Sequence, residues 1–465
     1  MDFGKLSIID HIQLSDDLKD DTSNSHINVR RSLKQPRRFK KVFIFLIALG
    51  LCGTYLLGLF AGQTQWFDGI AKSLGYESVT HHAVIIDAGS SGSRVLAYKF
   101  RVPFTVFGQT SLDLVDEYFE ESKPGLSSYV DDPKKGANTI VQLIKKAEFL
   151  TPVDKRRSTP VIVRATAGLR LLPADKAKQL VQEVADAIAK LGYDVGPNSV
   201  EIMDGSDEGI FIWYTVNLLH NLIGGETMAA LDLGGGSTQI TFQLSDEDTK
   251  LYPAADQFVV PAGDNITLYT HSYLNLGLLA ARHGVFKQEA GDNDTNEFVS
   301  VCVDPIVQKE KWTYANKQYI ISGAPRPEGM KREAVYKRCH AAVTRYVERT
   351  LDWVPRRAPS GSVAAMSYFY DVAADAGLID VMTGGQVSVS AYRSAARRAC
   401  SASNVEQPWA CIDLVYMVAL LHDAYKIRDE EPISLFKKVN GHEVSWALGL
   451  AYTTVMNKIT TAPAA

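Results

Sequence analysis

A short apolar run that ends in an aspartate, turns through a Gly/Ser loop and continues as a second apolar strand occurs twice in this chain. The first copy is Ala83-Val84-Ile85-Ile86-Asp87 followed by Ala88-Gly89-Ser90-Ser91-Gly92-Ser93-Arg94; the second is Met228-Ala229-Ala230-Leu231-Asp232 followed by Leu233-Gly234-Gly235-Gly236-Ser237-Thr238-Gln239. Apolar strands follow both, Val95 to Phe100 and Ile240 to Leu244. A buried strand that carries a carboxylate to its tip, then a loop of small residues that points backbone N–H groups inward, is half of a phosphate and metal site. One such loop is compatible with an ordinary glycine-rich hairpin. Two with the same strand–Asp–loop–strand order, about 145 residues apart, point to two related domains facing each other across a phosphate chain.

The rest of the chain fits an α/β fold with mixed sheets. Helical periodicity predicts helices over 134–149, 175–191 and 210–222, with strands over 160–165 and 200–203. At 465 residues, 46% hydrophobic and 22% charged, the chain has ample core for two domains, and its net charge of −4 gives no reason to expect a nucleic-acid partner.

The N-terminus has a different character. Residues 1–41 are polar and charged and read as a disordered tail. Val42 to Gly62 then runs without a charge for about 21 residues, roughly the length that crosses a bilayer as a helix. Arg30, Arg31, Lys34, Arg37, Arg38, Lys40 and Lys41 precede it, whereas only Lys72 is cationic in the 20 residues after it. The positive-inside rule therefore predicts a cytosolic tail (1–41), a transmembrane helix (42–62), a stem (63–80) and a translocated remainder. A cleaved signal peptide is the competing reading, but its apolar core is normally shorter. Beyond Cys52 the chain has Cys302, Cys339, Cys400 and Cys411, an even count that suggests two disulfides. The sequential pairing is preferred among three connectivities. Zinc is the rival, without CxxC or paired-histidine spacing to support it. Two sequons, at Asn265 and Asn293, agree with a lumenal face.

Several residues carry candidate chemistry. Asp87 and Asp232, at equivalent strand ends, are expected to hold a divalent cation directly or through its waters. Arg94 is either a fixed cation for phosphate or a structural ion-pair partner. Between the loops, Asp204-Gly205-Ser206-Asp207-Glu208-Gly209 precedes an apolar helix; its acids are caps, or else Glu208 activates a water. Thr166, after an apolar strand, is placed to reach the site, while Arg170 is equally a salt-bridge residue. An amide such as Gln239 can orient a water without acquiring charge.

Five blocks in order resemble the ecto-apyrases and Golgi nucleoside diphosphatases. They are 86–94, 165–170 (Ala-Thr-Ala-Gly-Leu-Arg), 205–209, 232–239 and 444–449 (Val-Ser-Trp-Ala-Leu-Gly), and the likeness spans about 82–455. It implies an actin-like two-lobed fold of two related RNase H-like domains. The first lobe would be 81–203 plus 433–465 and the second 204–432. It implies Glu208 as base, Ser237 and Gln239 on the attacking water, and Asp87, Asp232 and Thr166 around Ca²⁺ or Mg²⁺ through its waters. Ser90, Ser91, Gly92, Ser93, Arg94, Gly235 and Gly236 would line the phosphates, Trp446 would return to the cleft, and Tyr370 would stack on the base. The resemblance is nearest the single-span diphosphatase branch: Gly92-Ser93-Arg94 stands where triphosphate-taking apyrases tend to have histidine at the first position. Ala410 stands directly before Cys411, where the family commonly has an aromatic, and Trp409 is one residue earlier. The implied function is hydrolysis of GDP or UDP in a Golgi or ER lumen, in support of glycosylation, by a type II membrane protein, with a cleaved, secreted form as a further expectation. A broad apyrase, a kinase-like phosphotransferase and a silent nucleotide-binding glycoprotein are the alternatives.

Overall fold

The computed structural model describes residues 37–60, 79–89, 91–102, 112–262, 264–291, 293–315, 317–359 and 361–461. It forms two compact units, Met1–Phe67 and Asp68–Ala465. In the first unit the helix Arg37–Phe60 runs through most of the expected span, with Val42, Phe43, Ile44, Phe45 and Leu46 exposed. Among the described residues no helix is long and apolar enough to cross a membrane, so the predicted transmembrane helix at 42–62 finds no support here; 61 and 62 lie outside the described residues.

The second unit is built on two sheets with one repeated order. In the first, β1 (Thr80–Ala88), β2 (Ser93–Arg101) and β3 (Asp113–Ser122) form an antiparallel meander. β4 (Val161–Ala165) and β5 (Val200–Ile202) add in parallel on the other side of β1, giving β3-β2-β1-β4-β5. In the second sheet, β6 (Ala229–Leu233) pairs antiparallel with β7 (Ser237–Gln243), β7 with β9 (Asp264–Leu274), and β9 with the edge strand β8 (Gln257–Ala262). A small satellite sheet of β10 (Glu297–Ser300), β11 (Glu310–Tyr314) and β12 (Lys317–Gly323) follows. β13 (Val363–Ser367) then lies parallel to β6, β15 (Ile433–Leu435) parallel to β13, and β14 (Gly385–Val387) closes the edge against β15. The duplicated sequence thus becomes a duplicated sheet. β1 and β6 are central strands covered on both faces, which is why they read as continuous apolar runs rather than alternating ones.

The equivalence extends to register. Asp87 lies opposite Arg94 and Asp232 opposite Gln239 in the two hairpins. β15 carries the second sheet past the expected lobe boundary at 432, because Ile433, Ser434 and Leu435 pair with Val363, Ala364 and Ala365. After β15, the helix Trp446–Thr461 packs Trp446, Leu448 and Val455 with Ala83, Ile85 and Leu96 of the first sheet. The helix Gly205–Leu219 shares that core through Trp213 and Val216, together with Ala230 and Ala364 of the second sheet. It begins five residues before the predicted start at 210. Asp204 supplies its cap by accepting from Ser206 N–H at 2.8 Å, so the acidic segment is the first turn and not a preceding loop.

Both sequential disulfides are formed, Cys302–Cys339 and Cys400–Cys411. Cys52 is the free cysteine, and the zinc alternative has no thiolate left in the globular unit. The two bridges close loops of 37 and 11 residues. Loop closure entropy predicts about 2–4 kcal/mol from each, with Cys302–Cys339 the larger by about 1 kcal/mol. Thermal melts of Cys302→Ala/Cys339→Ala and Cys400→Ala/Cys411→Ala should show that order, and a reductant should lower the wild-type Tm without affecting the first double variant's long loop.

Candidate active site

Three carboxylates from three elements meet beneath the two glycine loops. β1 delivers Asp87, β6 delivers Asp232, and the first turns of the helix Gly205–Leu219 deliver Glu208; each is buried. All three line one cavity of about 560 Å³, together with Gly89, Ser91, Thr166, Gly234 and Gly235. Burial raises the pKa of each carboxyl, and their mutual repulsion adds to it for Asp232 and Glu208. Glu208 is pushed up to about 8; burial is the largest cause, the Arg170 guanidinium opposes it, and Asp232 and Asp87 reinforce it.

Glu208 is held by a network from three separate strands and helices. Arg170, at the end of the short helix Ala167–Arg170, donates to Glu208 Oε2 at 2.6 Å. Gln239 Nε2 donates to the same oxygen at 3.1 Å, and also reaches Ser237 Oγ at 3.0 Å and Ser272 Oγ at 2.8 Å. Arg170 Nη2 lies 3.4 Å from Ser237 Oγ and Nη1 lies 3.5 Å from Ser272 Oγ. The two contacts to Glu208 itself, from Arg170 and Gln239, both fall on Oε2, so the carboxylate is anchored by one oxygen. Ser237 and Gln239 are buried behind Glu208, at 2% and 1% exposure, and are absent from the cavity wall. Gln239 holds Glu208 directly, whereas Ser237 is joined to it only through Gln239 and Arg170.

The two aspartates have unlike partners. Asp87 Oδ2 accepts from Arg94 at 3.1 Å, whereas Asp87 Oδ1 is buried with no hydrogen-bond partner among the described residues. Asp232 Oδ1 accepts from Ser367 at 2.6 Å. Ser367 stands at the end of β13 with φ +59°, a conformation costly for a serine and fixed here by the Asp232 contact. An unpartnered buried carboxylate oxygen facing a second buried carboxylate is what a hard divalent cation satisfies. Asp87 and Asp232 are the residues that fit it. The Thr166 hydroxyl makes no cap bond to its helix and stands at the same cavity.

The remaining predicted residues divide. Arg94 bridges Asp87 and Glu121, so it is an ion-pair residue that also faces the cavity. Ser91 and Gly235 line the cavity, and Ser90 lies outside the described residues. Gly92 and Ser93 are buried away from it. Gly236 is where the second loop meets the first lobe: a Cβ there would stand 2.9 Å from the Ala167 Cβ. Trp446 borders the cavity while packing in the core. Tyr370 borders it too, but its hydroxyl is turned to the Val381 carbonyl at 2.8 Å. Its neighbour Tyr368 lines both this cavity and an adjoining one of about 680 Å³, which continues past Arg282 and Trp409. Tyr368 is therefore better placed than Tyr370 to face a ligand reaching across both. Ser272 carries no local sequence signal: it meets Gln239 only because β7 and β9 pair in that register.

The sequence profile described as the GDA1/CD39 (nucleoside phosphatase) family matches residues 74–462. The chain is 39% identical to the Homo sapiens nucleoside diphosphate phosphatase ENTPD5 over 430 residues, covering 88% of this chain and 96% of that protein. It is 33% identical to the Caenorhabditis elegans nucleoside-diphosphatase uda-1, covering 86% and 87%. A solved structure of nucleoside triphosphate hydrolases from Neospora caninum matches with a TM-score of 0.61 at 15% identity, over 82% of this chain and 93% of that one, a likeness of fold.

If Asp87 and Asp232 bind a cation, Ca²⁺ or Mg²⁺ at ten times its Kd should stabilise the folded protein by about 1.4 kcal/mol. Differential scanning fluorimetry should show this as a rise of roughly 1–2 °C. Asp87→Asn/Asp232→Asn should lose the rise while remaining folded; an equal rise in that variant would place the cation elsewhere.

Proposed function

The chain belongs to the GDA1/CD39 nucleoside phosphatase family, and on that premise we propose that it hydrolyses nucleoside diphosphates, GDP or UDP, to the monophosphate and phosphate. The observation that carries this reading is Glu208. It is one buried carboxylate, anchored by Oε2 and facing a cavity walled by two phosphate-type loops. The backbone N–H groups around Gly89, Gly234 and Gly235 are suited to the phosphate oxygens, and the small residues let those oxygens approach. Water at the free side of Glu208 loses its proton to the carboxylate as it attacks the terminal phosphorus in line. Arg170, Ser237, Ser272 and Gln239 keep the carboxylate from turning away, and Arg170 also favours its ionised form. A divalent cation at Asp87 and Asp232 would supply countercharge to the phosphates. No residue of the site is required to form a covalent intermediate.

Glu208→Gln preserves shape and loses the base, so kcat should fall by roughly 10²–10⁴. Glu208 must be ionised to act, so kcat/KM should rise with pH through its pKa. Arg170 lowers that pKa, and Arg170→Ala should therefore move the rising limb to higher pH and depress activity most on the acid side. Stopped-assay phosphate release across pH 6–10 (about four units) reads both effects. Near-normal turnover by a folded Glu208→Gln protein would remove Glu208 from the mechanism.

We also place the catalytic unit on the lumenal side of a secretory-pathway membrane, Golgi or ER, as a single-pass type II protein, where it would clear nucleotide left by glycosyl transfer. The uncharged run 42–62, the basic cluster before it and the two disulfides support this; the anchor rests on the sequence alone. Asn265 and Asn293 of the two sequons are both exposed. Protein from secretory cells should then shift to lower mass on treatment with an N-glycanase and stay with membranes after carbonate washing. An unshifted, freely soluble protein would contradict the topology.

A further inference from the structure

The two ends of the first sheet differ in character. β1, β4 and β5 run parallel, so the ends that carry Asp87 and Thr166 reach the cavity, while the starts at Thr80, Val161 and Val200 lie together at the opposite end. The chain enters the unit at that opposite end: the Val79 carbonyl accepts from Val102 N–H at 3.1 Å and leads into β1. Helices that connect parallel strands return to where the next strand starts, and they end here too. Pro133–Lys146 finishes on Lys145 and Lys146, and Ala174–Ile188 runs on to Lys190. Lys458, in the last turn of Trp446–Thr461, donates to the Ser158 carbonyl at 2.8 Å and to Asp194 at 2.6 Å. The helical turn Val153–Ser158 before β4 adds Lys155, Arg156 and Arg157.

This end is therefore basic in a chain whose net charge is −4. Some of its cations are neutralised: Arg156 by Glu148, Lys458 by Asp194 and Lys146 by Glu120. Lys145, Lys155, Arg157 and Lys190 are exposed and form no ion pair among the described residues, with Asp154 the exposed acid beside them. Burial, then Lys458 and Lys155, hold the His81 imidazole below its ordinary pKa, which places both lysines at the chain's entry. Large apolar side chains stand among these cations. Phe149 is 72% exposed, Val153 77% and Val79 61%, and Phe149 meets the Tyr118 ring edge-on at 5.0 Å. Apolar groups set among unpaired lysines and arginines match a phospholipid surface, where cations meet headgroup phosphates and short apolar side chains reach the acyl boundary. The place of entry points to the same occupant, because the stem 63–80 expected from the sequence joins the unit at this end.

We propose that this end of the catalytic unit docks on the membrane surface, with Phe149 and Val153 at the headgroup–acyl boundary and Lys145, Lys155, Arg157 and Lys190 on the headgroup phosphates. The proposal rests on the membrane-anchor reading and goes beyond it, since an anchor alone does not fix which side of the unit meets lipid. Docking by this end turns the cavity, at the opposite strand ends, away from the bilayer and toward soluble nucleotide.

The test uses the full chain in a Cys52→Ser background, which removes the free thiol and leaves both disulfides. Val153→Cys carries a bimane probe and is reconstituted with phosphatidylcholine vesicles containing about 30% phosphatidylserine and a nitroxide lipid labelled near the acyl boundary. The reference is the same probe on Met382→Cys, an 83% exposed residue in the turn before β14. The probe at 153 should be quenched at least about twofold more than the probe at 382. Lys155→Glu/Arg157→Glu, both at exposed positions, should bring quenching at 153 down to the reference level while phosphate release from GDP in detergent stays unchanged. Salt at about 0.5 M should weaken it in the same direction. Equal quenching at the two positions, or quenching at 153 that charge reversal leaves unaltered, overturns the proposal. Protein that leaves the vesicles on carbonate washing overturns the anchor reading instead; quenching is read before the wash, so docking is judged in either case.

Discussion

Three carboxylates buried within one cavity are the constraint to which the rest of the structure answers. Asp87, Asp232 and Glu208 are each almost sealed from solvent, and burial holds all three above their ordinary pKa. Such a cluster is destabilising unless neighbours compensate it. The compensation is visible at every member: Arg94 for Asp87, Ser367 for Asp232, Arg170 and Gln239 for Glu208. It is also incomplete, since Asp87 Oδ1 has no partner among the described residues. That incompleteness is the chemical opening for a cation and a phosphate chain. The folding problem and the binding site are here the same feature.

The helix Gly205–Leu219 is what allows the cluster to assemble. It carries Glu208 in its N-terminal turns and packs between the second sheet and the C-terminal helix, so its position fixes that carboxylate relative to both loops. Close approach is possible because its first turns are slim. A Cβ on Gly205 would fall 2.2 Å from Ser272 Oγ, and one on Gly209 would fall 2.3 Å from Thr270 Oγ1. On its far side Thr215 donates to the Ser445 carbonyl at 2.7 Å and accepts from Gly449 N–H at 2.9 Å. The last block of the sequence is thereby tied to the element that holds Glu208, which explains why a segment so remote in the chain borders the cavity.

The two halves of the duplication differ in what accompanies their aspartates. The glycine loops and the strand-end aspartates are common to both halves of the duplication. The asymmetry lies in what stands opposite each aspartate. Arg94 is spent on an ion pair with Asp87 and Glu121, whereas its counterpart Gln239 turns to Glu208. The adjoining cavity past Tyr368 and Trp409 is itself lined by charged side chains, Arg282, Asp304, Arg326 and Asp413 among them.

The sequence by itself determined the duplicated strand–Asp–loop–strand units, the α/β class, the two disulfides and the identity of Asp87, Asp232 and Glu208. These are local signals: an apolar run, a terminal acid, glycines in a turn, an even number of cysteines. Tertiary structure decided everything that depends on register or on a meeting of distant segments. The start of the base-bearing helix at Gly205 depended on the Asp204 cap rather than on apolar periodicity. The Arg170–Glu208 pair joins residues 38 positions apart, and Ser272 reaches Gln239 only through the pairing of β7 with β9. Tyr368 and Tyr370 differ by two positions on one short helix, and only packing turned the hydroxyl of Tyr370 to Val381. Glu121 gave no motif at all. Its place against Gly92 follows from the β2–β3 register, and side-chain pairs across a sheet are set by which strands meet and in what alignment, information that no local stretch of sequence contains.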